Sequence, residues 1–152
     1  MPEEKVISSN KKLFRDFAVL DTLECGIELR GSEVKSLREA RASIDDAFAR
    51  IEGQEIFLHN CHITPYEKAS YFKEEATRPR RLLLHRSQIK KLITQVSQRG
   101  FTLVPMRMYF SKKGLVKVAL SVAKGKKLYD RRQDIKKKEI EREMRRSQRI
   151  KR

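Results

Sequence analysis

The sequence predicts a mainly β, α+β domain: a small antiparallel β-barrel carrying two short helices and ending in a basic tail. Three observations lead there. Two stretches alternate apolar and polar residues about glycine-containing turns, as half-buried hairpins do. Two others repeat apolar residues every three to four positions. The last 29 residues carry a large charge and no apolar stripe. At 152 residues the chain is the size of one domain, able to bury most of its unfolded surface without staples.

Residues 16–30 have strand chemistry, with Phe17, Val19 and Leu20 followed by Ile27 and Leu29, bent around Glu24-Cys25-Gly26. In 32–41, Val34, Leu37 and Ala40 mark an inner helical face, while Lys35, Arg38 and Arg41 form a basic row at spacing three. Ile44 to Ile51 and Ile56 to Ile63 form a hairpin around Glu52-Gly53-Gln54-Glu55. The connection from Thr64 to Arg81 is long and holds Tyr71, Phe72 and the basic run Arg78-Pro79-Arg80-Arg81, a length that usually marks function or mobility. In 87–99, Ile89, Leu92, Ile93 and Val96 follow helical spacing, with Ser87 as N-cap and Gly100 as C-cap. Val104, Met106, Met108 and Phe110 alternate up to Ser111-Lys112-Lys113-Gly114, and Val116, Val118, Leu120 and Val122 share one face on the return. Pro105 implies an edge or a bulge. Six or so short strands with two interposed helices suggest a barrel of the oligonucleotide-binding (OB) type.

Charge is the strongest global clue. There are 36 Lys and Arg against 20 Asp and Glu, a formal net charge of +16. From Lys124 to Arg152 the count is 14 against 5, or +9, leaving +7 for the rest. We therefore divide the chain into a barrel, 1–123, and a basic tail, 124–152, disordered when free and helical against an anionic surface. Such charge argues for a polyanion partner, with nucleic acid foremost. No long uncharged apolar run exists, so neither a membrane span nor a secretory signal is expected. Two cysteines, Cys25 and Cys61, fit a reducing cytoplasm.

Catalytic and metal chemistry find little support. His59, Cys61, His62 and Cys25 offer zinc-type ligands. On a strand, however, His62 faces away from His59 and Cys61, and no paired C-x-x-C half exists. Asp45 and Asp46, adjacent on a strand, point to opposite sides. His85 opens the second helix, where a cap or surface role is ordinary. No nucleophile elbow, phosphate loop or H-E-x-x-H pattern occurs. No cofactor, metal or catalytic residue is expected. By contrast, the Lys35/Arg38/Arg41 row, the Arg78–Arg81 cluster and the tail could each meet phosphates. Phe14, Phe17, Tyr71, Phe72 and Tyr129 could stack on bases.

Four ordered strings narrow this to a family: Gly31-Ser32-Glu33-Val34-Lys35-Ser36-Leu37-Arg38, Leu82-Leu83-Leu84-His85-Arg86, Gly100-Phe101-Thr102-Leu103-Val104-Pro105, and Ala123-Lys124-Gly125-Lys126-Lys127-Leu128-Tyr129-Asp130-Arg131-Arg132. From about Asn10 onward the chain resembles the bacterial SsrA-binding proteins (small protein B), partners of transfer-messenger RNA (tmRNA). The resemblance implies an OB-type barrel that grips the tRNA-like domain of tmRNA and delivers it to stalled ribosomes. It implies a non-enzymatic cytoplasmic adaptor for trans-translation, a monomer binding tmRNA one to one and contacting small-subunit rRNA, with no membrane partner.

By position, the family's RNA contacts fall on Asn10, Glu24, Leu83 and Lys124, with Gly125 and Lys126 following. A carboxylate such as Glu24 can accept hydrogen bonds from base amino groups or 2′-hydroxyls, orienting where cations attract. The resemblance also implies that Tyr129 stacks in the decoding centre. Asp130, Arg131 and Arg132 stand for an Asp-Lys-Arg element, and Lys136, Lys137 and Lys138 follow into the empty mRNA channel. Arg131 replaces a lysine, keeping the charge but not the geometry. The alternative reading is a general RNA-binding protein or RNA chaperone without a ribosomal role.

Overall fold

The computed structural model describes residues 4–66, 75–125 and 139–145. Among the described residues, nine strands and three helices run from Lys5 to Gly125: β1 Lys5–Ser9, α1 Leu13–Asp16, β2 Phe17–Ile27, α2 Gly31–Arg38, β3 Ala42–Ser43, β4 Phe48–Glu52, β5 Glu55–His59, β6 His62–Ile63, β7 Arg80–Leu83, α3 Arg86–Arg99, β8 Thr102–Phe110 and β9 Val116–Gly125. A fourth helical segment, α4, spans 139–145. Seven strands form one antiparallel sheet in the order β1-β8-β4-β5-β7-β2-β9, and an added β8–β9 pairing closes six of them into a ring. β3 and β6 pair separately. The mainly β, antiparallel, OB-like expectation holds.

The core fills the ring. Cys25 and Ile27 of β2, Ile56 and Leu58 of β5, Met108 of β8 and Val118, Leu120 and Val122 of β9 point inward, and Leu37 of α2 and Leu92 of α3 cover the openings. The return face of the second hairpin is thus as expected. Pro105 sits at a bulge between Pro105 and Arg107, not at an edge, for β8 pairs with β1, β4 and β9. A bulge leaves one backbone N–H outside the ladder, so the proline costs no pairing there.

Several boundaries differ from expectation. β2 is not bent at Glu24-Cys25-Gly26; its irregularity lies between Val19 and Asp21. The first hairpin is shorter, turning at Gly53 (φ +64°) and ending at Asn60 (φ +58°), whose left-handed backbone stops β5. Asp45 and Asp46 lie in an exposed turn, not on a strand. α2 ends at Arg38, with Ala40 at φ +56°, so Arg41 leaves the helical row of Lys35 and Arg38. α3 begins at Arg86: the N-cap is His85, which was read as opening the helix, two residues before Ser87, and its N–H donates to Gln88 Oε1 at 3.1 Å. Gly100 is the C-cap, at φ +66°. α1, β1, β7 and the β3–β6 pair were not foreseen as separate elements, and α4 lies in the tail expected to become helical against an anionic surface.

Candidate nucleic-acid interface

Backbone register places a small platform on the outer face of the β8–β9–β2–β7 surface. Arg107 lies opposite Ala119, and Ala119 opposite Glu24. In the next row Tyr109 lies opposite Lys117, Lys117 opposite Gly26, and Gly26 opposite Leu83. Paired residues project from the same face, so the two rows form one surface. At its β2–β7 side is a groove of about 390 Å³ lined by Glu24, Gly26, Leu83, Leu84, His85, Gln88 and Lys117. Leu83 is 43% exposed, an apolar wall that most strand leucines do not provide. Gly26 lets the two strands sit close beneath it: a Cβ there would meet Leu83 Cβ at 3.1 Å, so Leu83 would have to give by a few tenths of an ångström.

The far side of Leu83 borders a second groove of about 320 Å³, whose walls include Gln54, Glu55, Arg81, Arg86 and Ile89. Glu24 is exposed in mid-strand and its Oε2 accepts a hydrogen bond from the Tyr109 hydroxyl. Burial first, then the Glu24 bond and charge, push the Tyr109 phenol well above its usual value near 10, so it stays a donor.

The structure thus brings Glu24 and Leu83 together and adds Lys117, His85 and Gln88, which sequence reasoning had not placed there. Lys117 stands opposite in parity to the apolar face of β9, a signal that it points outward. That signal could not say which strand lay beside it.

The other expected contacts are distributed elsewhere. Lys124 and Gly125 end β9, opposite Ala18 and Phe17. By strand rise, Lys124 is roughly 23 Å from Lys117, and its ammonium sits 4.8 Å over the Phe101 ring. Asn10 is 8% exposed and locally engaged: Nδ2 donates to the Pro105 carbonyl at 3.4 Å and Oδ1 accepts from Lys12 N–H at 3.1 Å. It follows β1, where we expected it to precede the first strand. Lys35 and Arg38 are exposed on α2, and Lys35 Nζ lies 5.7 Å over the Tyr66 ring. Arg41 pairs with Glu39 at 3.3 Å. Lys126, Tyr129, Asp130, Arg131, Arg132, Lys136, Lys137 and Lys138 lie outside the described residues, as do Tyr71 and Phe72.

The Arg78–Arg81 cluster is not the solvated phosphate contact expected. Arg80 is 1% exposed; its Nε donates to Glu33 Oε2 at 2.6 Å, and other guanidinium nitrogens reach the Cys61 and Ala76 carbonyls at 2.6 and 3.1 Å. Arg78 grips Glu33 Oε1, which also accepts Arg30 N–H at 2.9 Å. Burial disfavours the Glu33 carboxylate, but bonds from Arg78, Arg30 and Arg80 outweigh it and hold its pKa below the ordinary value. Arg81 alone of the three faces outward, near Glu55 (3.4 Å) and Glu28 (3.8 Å). Two of the three arginines therefore anchor α2 to the start of β7 and the residues just before it.

Among the described residues no group of three or more His, Cys, Asp or Glu side chains could hold a metal ion. His59 bonds Glu52 at 3.1 Å and stacks on Phe48, while Cys25 and Cys61 are buried. Also among the described residues, no helix is long and apolar enough to cross a membrane.

Comparison with known proteins gives the family. The family model described as "SmpB protein" matches residues 7–150. The SsrA-binding protein of Caldanaerobacter subterraneus subsp. tengcongensis is 51% identical over 93% of this chain and 89% of its own length. That of Rickettsia typhi is 53% identical over 90% of each chain. A solved chain described under "tmRNA-SmpB: a journey to the center of the bacterial ribosome" superposes with a TM-score of 0.65 at 44% identity, covering 78% of this chain and 82% of its own. With the match running over nearly the whole length, through ring, groove and tail alike, this chain belongs to the SmpB family of SsrA-binding proteins.

Proposed function

We propose that this protein is the RNA-binding adaptor of trans-translation: it binds the tRNA-like domain of tmRNA and delivers it to stalled ribosomes, so that the nascent peptide is tagged and the ribosome freed. The observation that carries this reading is the Glu24–Leu83–Lys117 groove, an apolar wall between a hydrogen-bond acceptor and a cation. Leu83 offers a surface to an unstacked base, Glu24 accepts from a base edge or 2′-hydroxyl, and Lys117 meets a phosphate. Such a set binds and orients without a nucleophile or an acid–base pair, in keeping with a non-enzymatic role in the cytoplasm.

The remaining cations divide the work. Lys35, Arg38 and Arg41 provide phosphate contacts beside α2; Lys124 and Gly125 lie at the opposite end of the β2–β9 ladder from the groove, and Lys126 follows them in sequence. The tail, with Tyr129, Asp130, Arg131, Arg132 and Lys136–Lys138, enters the decoding centre and the vacant mRNA channel. A channel lined by phosphates neutralises its charge and releases counterions, offsetting the entropy of ordering. An mRNA already there excludes it. Asn10 supports the interface by stapling the segment after β1 to β8.

Binding competition at roughly 0.2 M salt, where phosphate-only binding fades, tests the reading. A folded tRNA-like RNA should outcompete an equal length of unstructured RNA. Equal affinity would favour the general RNA-binding alternative. Removal of residues 133–152 should leave that affinity nearly unchanged while abolishing peptide tagging; equal loss of both would refute the division between ring and tail.

A further inference from the structure

The position of Glu24 poses a question that groove lining alone does not answer. An exposed glutamate on a strand has several rotatable bonds and no need of a partner, yet recognition of one base edge requires a fixed acceptor. We propose that Tyr109 is a positioning residue for RNA recognition: its hydroxyl holds Glu24 Oε2, so that the other carboxylate oxygen is presented to the groove. This rests on the reading of the groove as the tRNA-like RNA site.

Register makes the contact diagonal. Tyr109 lies opposite Lys117 and Glu24 opposite Ala119, so the phenol crosses β9 beside Ala119, whose methyl is too small to obstruct it. The ring is itself fixed. It is 2% exposed, with the Arg107 guanidinium 4.7 Å over its face and Arg107 in turn 3.7 Å from Glu4. A clamped donor thus restrains a mobile acceptor. The consequence is selective: a carboxylate that cannot swing aside repels a phosphate on its own side of the groove and admits a base edge there, leaving the phosphate to Lys117. The hydroxyl should therefore matter for discrimination between RNAs more than for overall attraction.

Tyr109→Phe tests this, since it keeps the ring and its packing. We expect affinity for tRNA-like RNA to fall roughly tenfold, within the range for a hydrogen bond to a charged group. Binding of unstructured RNA and the salt slope should be nearly unchanged, and the melting temperature should fall by only about 3–5 °C, as the loss of one hydrogen bond requires. In the Glu24→Ala background, itself weakened toward tRNA-like RNA, Tyr109→Phe should have no further effect. A loss of the same size in that background, equal weakening for both RNAs, or no loss in the otherwise native chain would overturn the positioning role alone. Unchanged affinity of Glu24→Ala would overturn the groove reading together with it.

Discussion

Replacing Glu33 by glutamine should be among the most damaging single changes to the fold. The side chain is 3% exposed and bridges Arg78, Arg80 and the Arg30 N–H. Glu33→Gln keeps the shape, but the buried Arg80 guanidinium would retain only carbonyl partners and an amide oxygen. Breaking a buried pair by removing one charge costs about 3–5 kcal/mol. For a body of this size each kcal/mol moves the midpoint by about 3–5 °C, so Tm should fall by about 10–20 °C at pH 7.

The sign of the pH dependence follows from the depressed Glu33 pKa. Its contribution is complete above the unfolded value, near 4.5, and disappears as pH falls through the lower folded value. Below that, the native protein holds Glu33 protonated too. The gap in Tm between native and Glu33→Gln proteins, measured by circular dichroism at descending pH, should be widest near neutrality and narrow in acid. A gap under about 2 °C at pH 7, or one that does not change with pH, would refute the argument.

Three further outcomes follow. Gly26→Ala places a Cβ 3.1 Å from Leu83 Cβ, both fixed on paired strands, so Leu83 must shift; we expect a loss of about 1 kcal/mol in thermal melts and a several-fold loss of RNA affinity in titrations. Lys117→Ala should weaken RNA binding across sequences and reduce the salt slope by about 0.7–0.9, one phosphate contact, whereas an unchanged slope would remove Lys117 from the interface. Burial pushes the Cys25 thiol up to about 12 and the Cys61 thiol up to about 11, so neither should react with a thiol reagent at pH 8 until the protein unfolds; rapid labelling of the native protein would contradict their burial.

How much was legible depended on how local the cause was. β9 and α3 follow from period-two and period-3.6 patterns with Gly114 and Gly100 as punctuation, and that information lies within each segment; on β8 the bulge after Pro105 shifts the expected alternation, so that Leu103 and Met108 join the core and Val104 does not. β7 could not be read that way. Arg80-Arg81-Leu82-Leu83 has only four residues, half of them arginine, and the burial of Arg80 depends on Glu33, 47 positions away in sequence. The end of α2 was overrun because Ala40 adopts a left-handed backbone for which alanine gives no warning. Glu24 and Leu83 were placed only by family resemblance, since a carboxylate and a strand leucine look ordinary. Lys117 joined them only when strand order set β9 beside β2.

β9 runs unbroken from Val116 to Gly125, paired with β8 as far as Ala123 and with β2 from Lys117 to Gly125. It therefore behaves as a ruler of fixed length, about 26 Å between Lys117 and Gly125. Cargo seated at one mark cannot drift relative to the point where the tail departs, because nothing along the ruler can fold or stretch. Any reorientation of one with respect to the other would have to be made outside it, by bending of the nucleic acid or by motion of the whole bead.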